Sequence, residues 1–309
     1  MLPLNFPDEE VASTLYADID RRVEVLDKIG RANFEKYWSD NHSEYDLVWV
    51  SRPHNMDFVA QIINVKDRKY KIVYDAEAIF ADREKALREL GIDEYGLKFD
   101  YDSLVKAELN SARVADALVA VSLRDKQVMQ RFLDESVQLV NCGYGLKPRK
   151  GNLTHSERSN LLFVGNLDRN ETPNVDSLLW FVDLVWPKVK SAFPDLKLNV
   201  VGSNLASILQ VIQDDSIVFH GKVDELSAFY DSSLVFIAPT RYAAGLPLKV
   251  QEAAANGLPC VVTSLLAEQL LWSDRNEVLV ADVGDANKFA QNCIELLLDQ
   301  GLWSRLQDQ

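Results

Sequence analysis

The sequence predicts an α/β protein made of two consecutive domains, each a parallel sheet wrapped by helices, facing each other across a cleft. Three observations carry this. Short Val- and Ile-rich runs alternate with longer amphipathic segments, the mark of βαβ units whose strands are buried on both faces. The pattern pauses at a polar, basic stretch broken by Pro and Gly, Lys147-Pro148-Arg149-Lys150-Gly151-Asn152, and then restarts. At 309 residues, the chain also exceeds what one hydrophobic core usually organises. The domains are accordingly drawn at residues 1–146 and 147–309.

In the first half the expected strands are Arg22 to Leu26, Asp46 to Ser51, Lys71 to Tyr74, Ala117 to Ser122 and Val137 to Val140, with Met1 to Asn5 as a further candidate. A helix is expected from Tyr101 to Arg113, and the strand after it delivers Ser122 to a C-terminal sheet edge, where clefts form. The second half opens with a strand from Asn160 to Gly165 and a helix from Asn174 to Ala192. Strands follow at Leu196 to Val201, Ile217 to Phe219 and Leu234 to Ala238, with a short helix over Asp224 to Tyr230. A helix over Lys249 to Asn256 then precedes the strand Pro259 to Thr263. Both ends read as cut. The first half starts as if at a second strand, lacking an opening βα unit, and the last residues lie in an unfinished helical pattern.

Hydrophobic residues make up 47% and charged residues 26%, the balance of a globular chain with a large core. The net charge of −14 argues against an affinity built on many nucleic-acid phosphates, though not against one locally held nucleotide. Cys142, Cys260 and Cys293 are odd in number and far apart, which speaks against a disulfide framework or zinc site and for a reducing compartment. No run approaches the ~18 apolar residues of a membrane span, so a cytoplasmic protein is expected, with peripheral membrane contact left open.

The most informative stretch runs from Ala238 to Pro259. A strand ends at Pro239, a loop containing Gly245 follows, a helix begins near Lys249, and Gly257-Leu258-Pro259 ends it. The loop thus meets a helix N-terminus, whose free N–H groups and dipole favour an anion such as a diphosphate. Arg241 and Lys249 can add two cationic contacts, and Glu252, on the same helix face as Lys249, suits a ribose diol. The same residues also fit a plainer arrangement, with solvated cations and Glu252 complementing the dipole or pairing with Lys249.

The order of strand, proline, basic residue, glycine loop and Lys249-Val250-x-Glu252-Ala253-x-Ala255-x-Gly257-x-Pro259-Cys260-Val261-Val262 resembles the donor region of the retaining group 1 glycosyltransferases of GT-B fold, two Rossmann-like domains about a cleft. The resemblance implies that Glu252 contacts the donor ribose as the second of two glutamates spaced by seven residues; the first falls on Ala244. A subgroup shares this departure, with a basic residue, a glycine and a lysine in the loop. Arg241, Gly245, Leu246, Lys249 and Glu252 are therefore carried over as donor-binding residues.

Phe163-Val164-Gly165-Asn166-Leu167 and Pro173-Asn174-Val175-Asp176 resemble the family's first strand and loop, where glycine lets the backbone approach the phosphates. The usual arginine and lysine are missing there, so phosphate charge falls to Arg241 and Lys249. Phe219-His220-Gly221-Lys222-Val223 resembles the nucleobase segment, and Gly202-Ser203 follows the strand that floors the same pocket. His220 reads as an ordinary strand-end histidine.

In the first half, Ser51-Arg52-Pro53-His54-Asn55 and Tyr74-Asp75-Ala76-Glu77 close two strands with polar clusters. Glu77 aligns with a histidine that sits near the transferred sugar in relatives, so it and His54 are catalytic candidates together with Lys249, and Arg52 and Arg83 are acceptor-side candidates. Arg52 and Glu77 also fit a structural ion pair. Asp75 and Glu77, taken as alternating along a strand, face opposite ways and cannot form a close carboxylate pair.

The resemblance implies metal-independent sugar transfer from a nucleoside diphosphate sugar, with retention, to a glycan, lipid or other hydroxyl, as in polysaccharide biosynthesis, with no further cofactor and no nucleic-acid partner. Rival readings are a sugar-nucleotide epimerase of the same layout and a non-catalytic nucleotide-binding fragment or homologue. There is no Walker loop, nucleophile elbow, His-Glu-x-x-His or Cys-x-x-Cys. Gly143-Tyr144-Gly145 lacks the following glycine and helix of a dinucleotide fingerprint, which argues against a nicotinamide cofactor.

Overall fold

The computed structural model describes residues 1–4, 16, 19–63, 68–92, 99–134, 137–149, 153–203 and 206–309. Two parallel sheets organise them. The first has the order β1 (Leu47–Ser51), β2 (Lys71–Asp75), β3 (Ala117–Ala120), β4 (Gln138–Asn141), each strand in register with the next. Between them run α2 (Pro53–Ile62), α3 (Phe80–Glu89), α4 (Tyr101–Glu108) and α5 (Leu123–Gln130), preceded by α1 (Gly30–Asn41). Phe34, Trp38, Met56, Ile72, Tyr74, Ile79, Leu118 and Met129 form the core of this half.

The second half contributes β5 (Ser159–Val164), α6 (Pro173–Trp180), α7 (Trp186–Ala192), β6 (Leu198–Val201), β7 (Ile217–Gly221), α8 (Ser227–Ser232) and β8 (Ser233–Ala238). It continues with α9 (Leu248–Ala255), β9 (Cys260–Thr263), α10 (Ser264–Leu270), β10 (Leu279–Ala281), α11 (Ala286–Leu298) and α12 (Gln300–Gln307). The sheet order is β10-β9-β8-β5-β6-β7. Every residue of β8 and β9 is buried, as expected of central strands covered on both faces. The period of two is visible in β5: Leu161 and Phe163 pack with Phe181, Trp186 and Phe289, while Leu162 faces Phe236, Val250 and Leu266.

This order places a switch point between β5 and β8. From β5 the chain winds outward through β6 and β7, then crosses back to add β8, β9 and β10 on the other side. Two helices, α6 after β5 and α9 after β8, therefore open a crevice at the carboxyl ends of the strands, where ligands of such folds bind.

Several expectations are corrected. Arg22 to Leu26 forms no strand: the Asp20 carboxylate accepts both the backbone N–H and the guanidinium of Arg22, fixing a turn that breaks the alternation. Residues 1–4 are not a strand either, and Asn5 lies outside the described residues, as do Lys150, Gly151 and Asn152 of the linker. The helix from Tyr101 is α-helical only to Glu108 and continues as a 3-10 turn over Asn110–Val114. The expected helix to Ala192 is interrupted by a π turn at Phe181–Val185. Pro187, at the second position of α7, lacks an N–H and would crowd the carbonyl four residues before it, and the wider turn relieves this.

Specific contacts tie down the linker and join the two halves. The Arg149 N–H donates to the Ala255 carbonyl, and its guanidinium reaches Asn256 (3.0 Å) and Asp231 (3.0 Å), tying the linker to α9 and α8. Arg124 on α5 pairs with Asp82 of its own half and with Glu268 on α10, 3.3 Å away.

Candidate functional site

The site is built where β5, β6 and β8 end and α6 and α9 begin. Gly202 has φ +132°, and a Cβ there would lie 1.9 Å from the carbonyl oxygen of Gly165, so the two strand ends approach as closely as backbones can. Only glycine fits. Asn166 then turns its side-chain oxygen back to accept from the Asp168 N–H (3.0 Å) and the Ser203 hydroxyl (2.6 Å). Its carbonyl accepts from the Asn174 amide at 3.2 Å.

Asn174 completes a chain across the crevice: its Oδ1 accepts from Lys249 Nζ at 2.8 Å. The Lys249 ammonium also lies 5.2 Å from the centre of the Phe163 ring. No carboxylate is paired with it among the described residues. Desolvation pushes its pKa down to about 8. Among the described residues, no side chain caps the N-terminus of α9, whose N-cap position is Pro247. An unpaired cation and an uncapped helix N-terminus thus share one spot, and both favour an anion.

Arg241, the other expected phosphate cation, is engaged elsewhere. Its guanidinium holds Asp176 of α6 in a two-pronged ion pair, with Nε donating to Oδ2 at 2.9 Å and Nη2 to Oδ1. Glu252 lies one turn into α9, where it accepts from the Tyr230 hydroxyl at 3.4 Å, and it does not pair with Lys249. Burial and the Glu252 charge hold the Tyr230 phenol well above its ordinary range.

At the far end of the crevice, Gly221 has φ +69° and its carbonyl accepts from the Gly202 N–H. Lys222 beside it is exposed. His220 bonds Asn199 Oδ1 at 2.9 Å and meets Phe229 edge-on, in keeping with a strand-end histidine. Leu246 lends its carbonyl to the Leu248 N–H, shaping the entry to α9.

Across the cleft, Glu77 is not on a strand. β2 ends at Asp75, whose side chain accepts the Glu77 N–H at 3.0 Å, and this turn sends Glu77 to φ +59°. The argument from strand alternation therefore does not apply to Asp75 and Glu77. Glu77 instead accepts from Arg52 Nε at 2.8 Å. His54 is exposed in the first turn of α2. Arg83 reaches the second half and lies over the Tyr242 ring, 5.6 Å from its centre. Gly245 touches the first half too: a Cβ on it would meet Ala78 Cβ and the Glu77 carbonyl, each at 3.0 Å.

The structure thus joins Gly165, Asn166, Gly202 and Lys249 in one network, and Arg52 and Glu77 in another. Asn174 and Asp176, which fix the two cations, had no assigned role in the sequence. Among the described residues, no group of three His, Cys, Asp or Glu side chains comes together to hold a metal, and no helix is long and apolar enough to cross a membrane.

Residues 158–299 match the family described as "Glycosyl transferases group 1". The chain is 25% identical over 233 residues to a 44.6 kDa protein in the cps region of Klebsiella pneumoniae, covering 72% of this chain and 56% of that protein. It is 29% identical over 180 residues to an uncharacterized glycosyltransferase of Haemophilus influenzae, covering 55% and 48%. It therefore spans about half the length of these curated relatives. Among solved structures, HepE of Anabaena in complex with UDP and glucose superposes with a TM-score of 0.70 at 13% identity, covering 96% of this chain and 83% of that one. Sucrose-phosphate synthase of Thermosynechococcus elongatus superposes with a TM-score of 0.66 at 18% identity, covering 93% and 74%. The two facing parallel-sheet domains have the GT-B fold, and residues 158–299, within the second of them, resemble the group 1 glycosyltransferases.

Proposed function

We propose that this chain transfers a sugar from a nucleoside diphosphate donor to a hydroxyl of a glycan, lipid or other acceptor, without a metal and with retention of configuration. The observation that carries the reading is the unpaired Lys249 ammonium at the uncapped start of α9, beside the Gly165–Gly202 backbone contact at the switch point. In this reading the diphosphate rests on that ammonium and the helix N–H groups, which stabilise the charge that develops as the sugar leaves. Glu252 takes the ribose, and Gly221 and Lys222 lie beside the base. The domain that holds the donor is taken to begin at residue 147. Glu77, Arg52 and His54 line the acceptor side, with Glu77 and Arg52 offering planar hydrogen-bonding groups to sugar hydroxyls. The relative in a cps region suggests a polysaccharide pathway, and the absence of long apolar helices among the described residues is compatible with cytoplasmic work at a membrane surface.

A second reading, a nucleotide-binding protein without turnover, is favoured by Ala244 in the position of the first glutamate. One experiment addresses both. Nucleoside diphosphates and their sugars are screened for thermal stabilisation, and the best donor is then incubated with acceptor mixtures while nucleoside diphosphate release is followed. Stabilisation with acceptor-dependent release supports transfer, and stabilisation without release supports the second reading. Epimerisation would convert the donor with no acceptor present. If no nucleotide stabilises the protein and Lys249→Ala changes nothing, the donor site is misplaced.

A further inference from the structure

Four arginines stand around the cleft, and three are already neutralised. Arg52 is held by Glu77, Arg124 by Asp82 and Glu268, and Arg241 by Asp176. Arg83 has no carboxylate among the described residues. Its Nε is buried with no hydrogen-bond partner among the described residues, and the guanidinium lies over Tyr242, which is 5% exposed and adjoins Arg241 on the donor loop.

Two carboxylates close to Arg83 along the chain and on the neighbouring helix are engaged elsewhere. The Asp82 carboxylate receives the Tyr101 hydroxyl (2.7 Å) and Arg124. The first N–H groups of α3 are closed by Glu108, which accepts from Phe80 at 2.8 Å and Ala81 at 2.6 Å, so this helix terminus is not open to an anion. Gly245, three residues beyond Tyr242, packs against Glu77 and Ala78 just before α3. The donor loop and the start of α3 therefore touch at two points, and Arg83 is the cation that the first domain brings to that seam.

We propose that Arg83 contacts the diphosphate of the nucleotide donor from the opposite domain, sharing with Lys249 the charge that Arg241, locked to Asp176, does not carry. This rests on the donor site proposed above. A planar guanidinium with free donors suits a phosphate, which can accept two of them at once. The arrangement also links donor occupancy to domain closure, because the cation and the rest of the site lie on different domains.

UDP, GDP and ADP are titrated into the wild-type chain by calorimetry, and the tightest binder is carried forward with its nucleoside as control. Arg83→Gln is expected to weaken the diphosphate about 5- to 20-fold, as loss of a charge-assisted contact does, and to leave the nucleoside unchanged. Arg83→Lys is expected to recover part of the loss and serves as the deciding variant should the glutamine form fail to fold. Equal diphosphate affinity in wild type and Arg83→Gln overturns the assignment while the donor site stands. Equal loss for diphosphate and nucleoside also overturns it, since Arg83 then supports only the fold. If the wild type binds none of the three, the donor site fails and this inference with it.

Discussion

Gly245 and Ala78 lie so close that a Cβ on the glycine would come within 3.0 Å of the alanine Cβ, with Gly245 at φ +77°. The loop between Arg241 and Lys249 is thus seated on the backbone of the other domain, at a position closed to side chains on both steric and conformational grounds.

Gly245→Ala is accordingly expected to cost about 1–2 kcal/mol, the left-handed penalty plus the contact, and to reduce nucleotide binding more than stability alone explains. Melting curves with and without the stabilising nucleotide measure both. A variant with unchanged melting and binding would show that the loop moves freely there.

Lys249 carries a pH prediction. Its pKa is depressed to about 8 by desolvation, so the cation is lost as pH rises through that value in the unliganded protein. Diphosphate affinity should fall between about pH 8 and 10, while stability without ligand rises over the same window, because the unfolded chain there binds the extra proton. Lys249→Met should abolish the pH dependence of binding and lower affinity at pH 7 by more than about tenfold. Calorimetry across pH tests this, and a flat wild-type profile would contradict it.

The Arg241–Asp176 pair is about four-fifths buried on each side, so breaking it strands a charge. Arg241→Leu or Asp176→Leu alone should destabilise by about 2–4 kcal/mol, and the double variant should recover much of the loss. Urea melts of the four proteins give the coupling directly. Additive losses would mean that the two side chains act independently.

Glu108 closes the N-terminus of α3 in a site where burial outweighs its two N–H bonds and raises its pKa to about 7. Between about pH 4.5 and 7 the folded protein holds a proton that the unfolded chain has released, so stability should fall as pH rises through this range. Glu108→Gln should flatten that slope at a cost of about 1–2 kcal/mol, because the amide nitrogen cannot accept an N–H. Denaturation at pH 5 and pH 7 compares the slopes.

How far the sequence revealed all this depended on distance along the chain. β8 and β9 were readable because a strand buried on both faces writes its position as an unbroken apolar run, and the loop from Arg241 to Lys249 because strand end, glycine and helix start are consecutive. Arg22 to Leu26 resembles a strand because Val23 and Val25 alternate locally, while the turn is decided by one carboxylate, Asp20. The engagement of Arg241 was beyond reach: Asp176 lies 65 residues away, and no spacing rule joins them. Asp75-Ala76-Glu77 reads as a strand end because nothing in it shows that the aspartate side chain ends the ladder.

The matching of Arg52, Arg124 and Arg241 to carboxylates has a kinetic side. A chain with a net charge of −14 whose cleft arginines are mostly cancelled projects little positive field into solution, so an anionic nucleotide approaches it uphill. Its attraction begins only within a Debye length, about 8 Å at physiological salt, of the few cations left unmatched. Added salt should then speed the encounter by damping the global repulsion while it shortens the lifetime of the bound state, so the on-rate and the off-rate rise together.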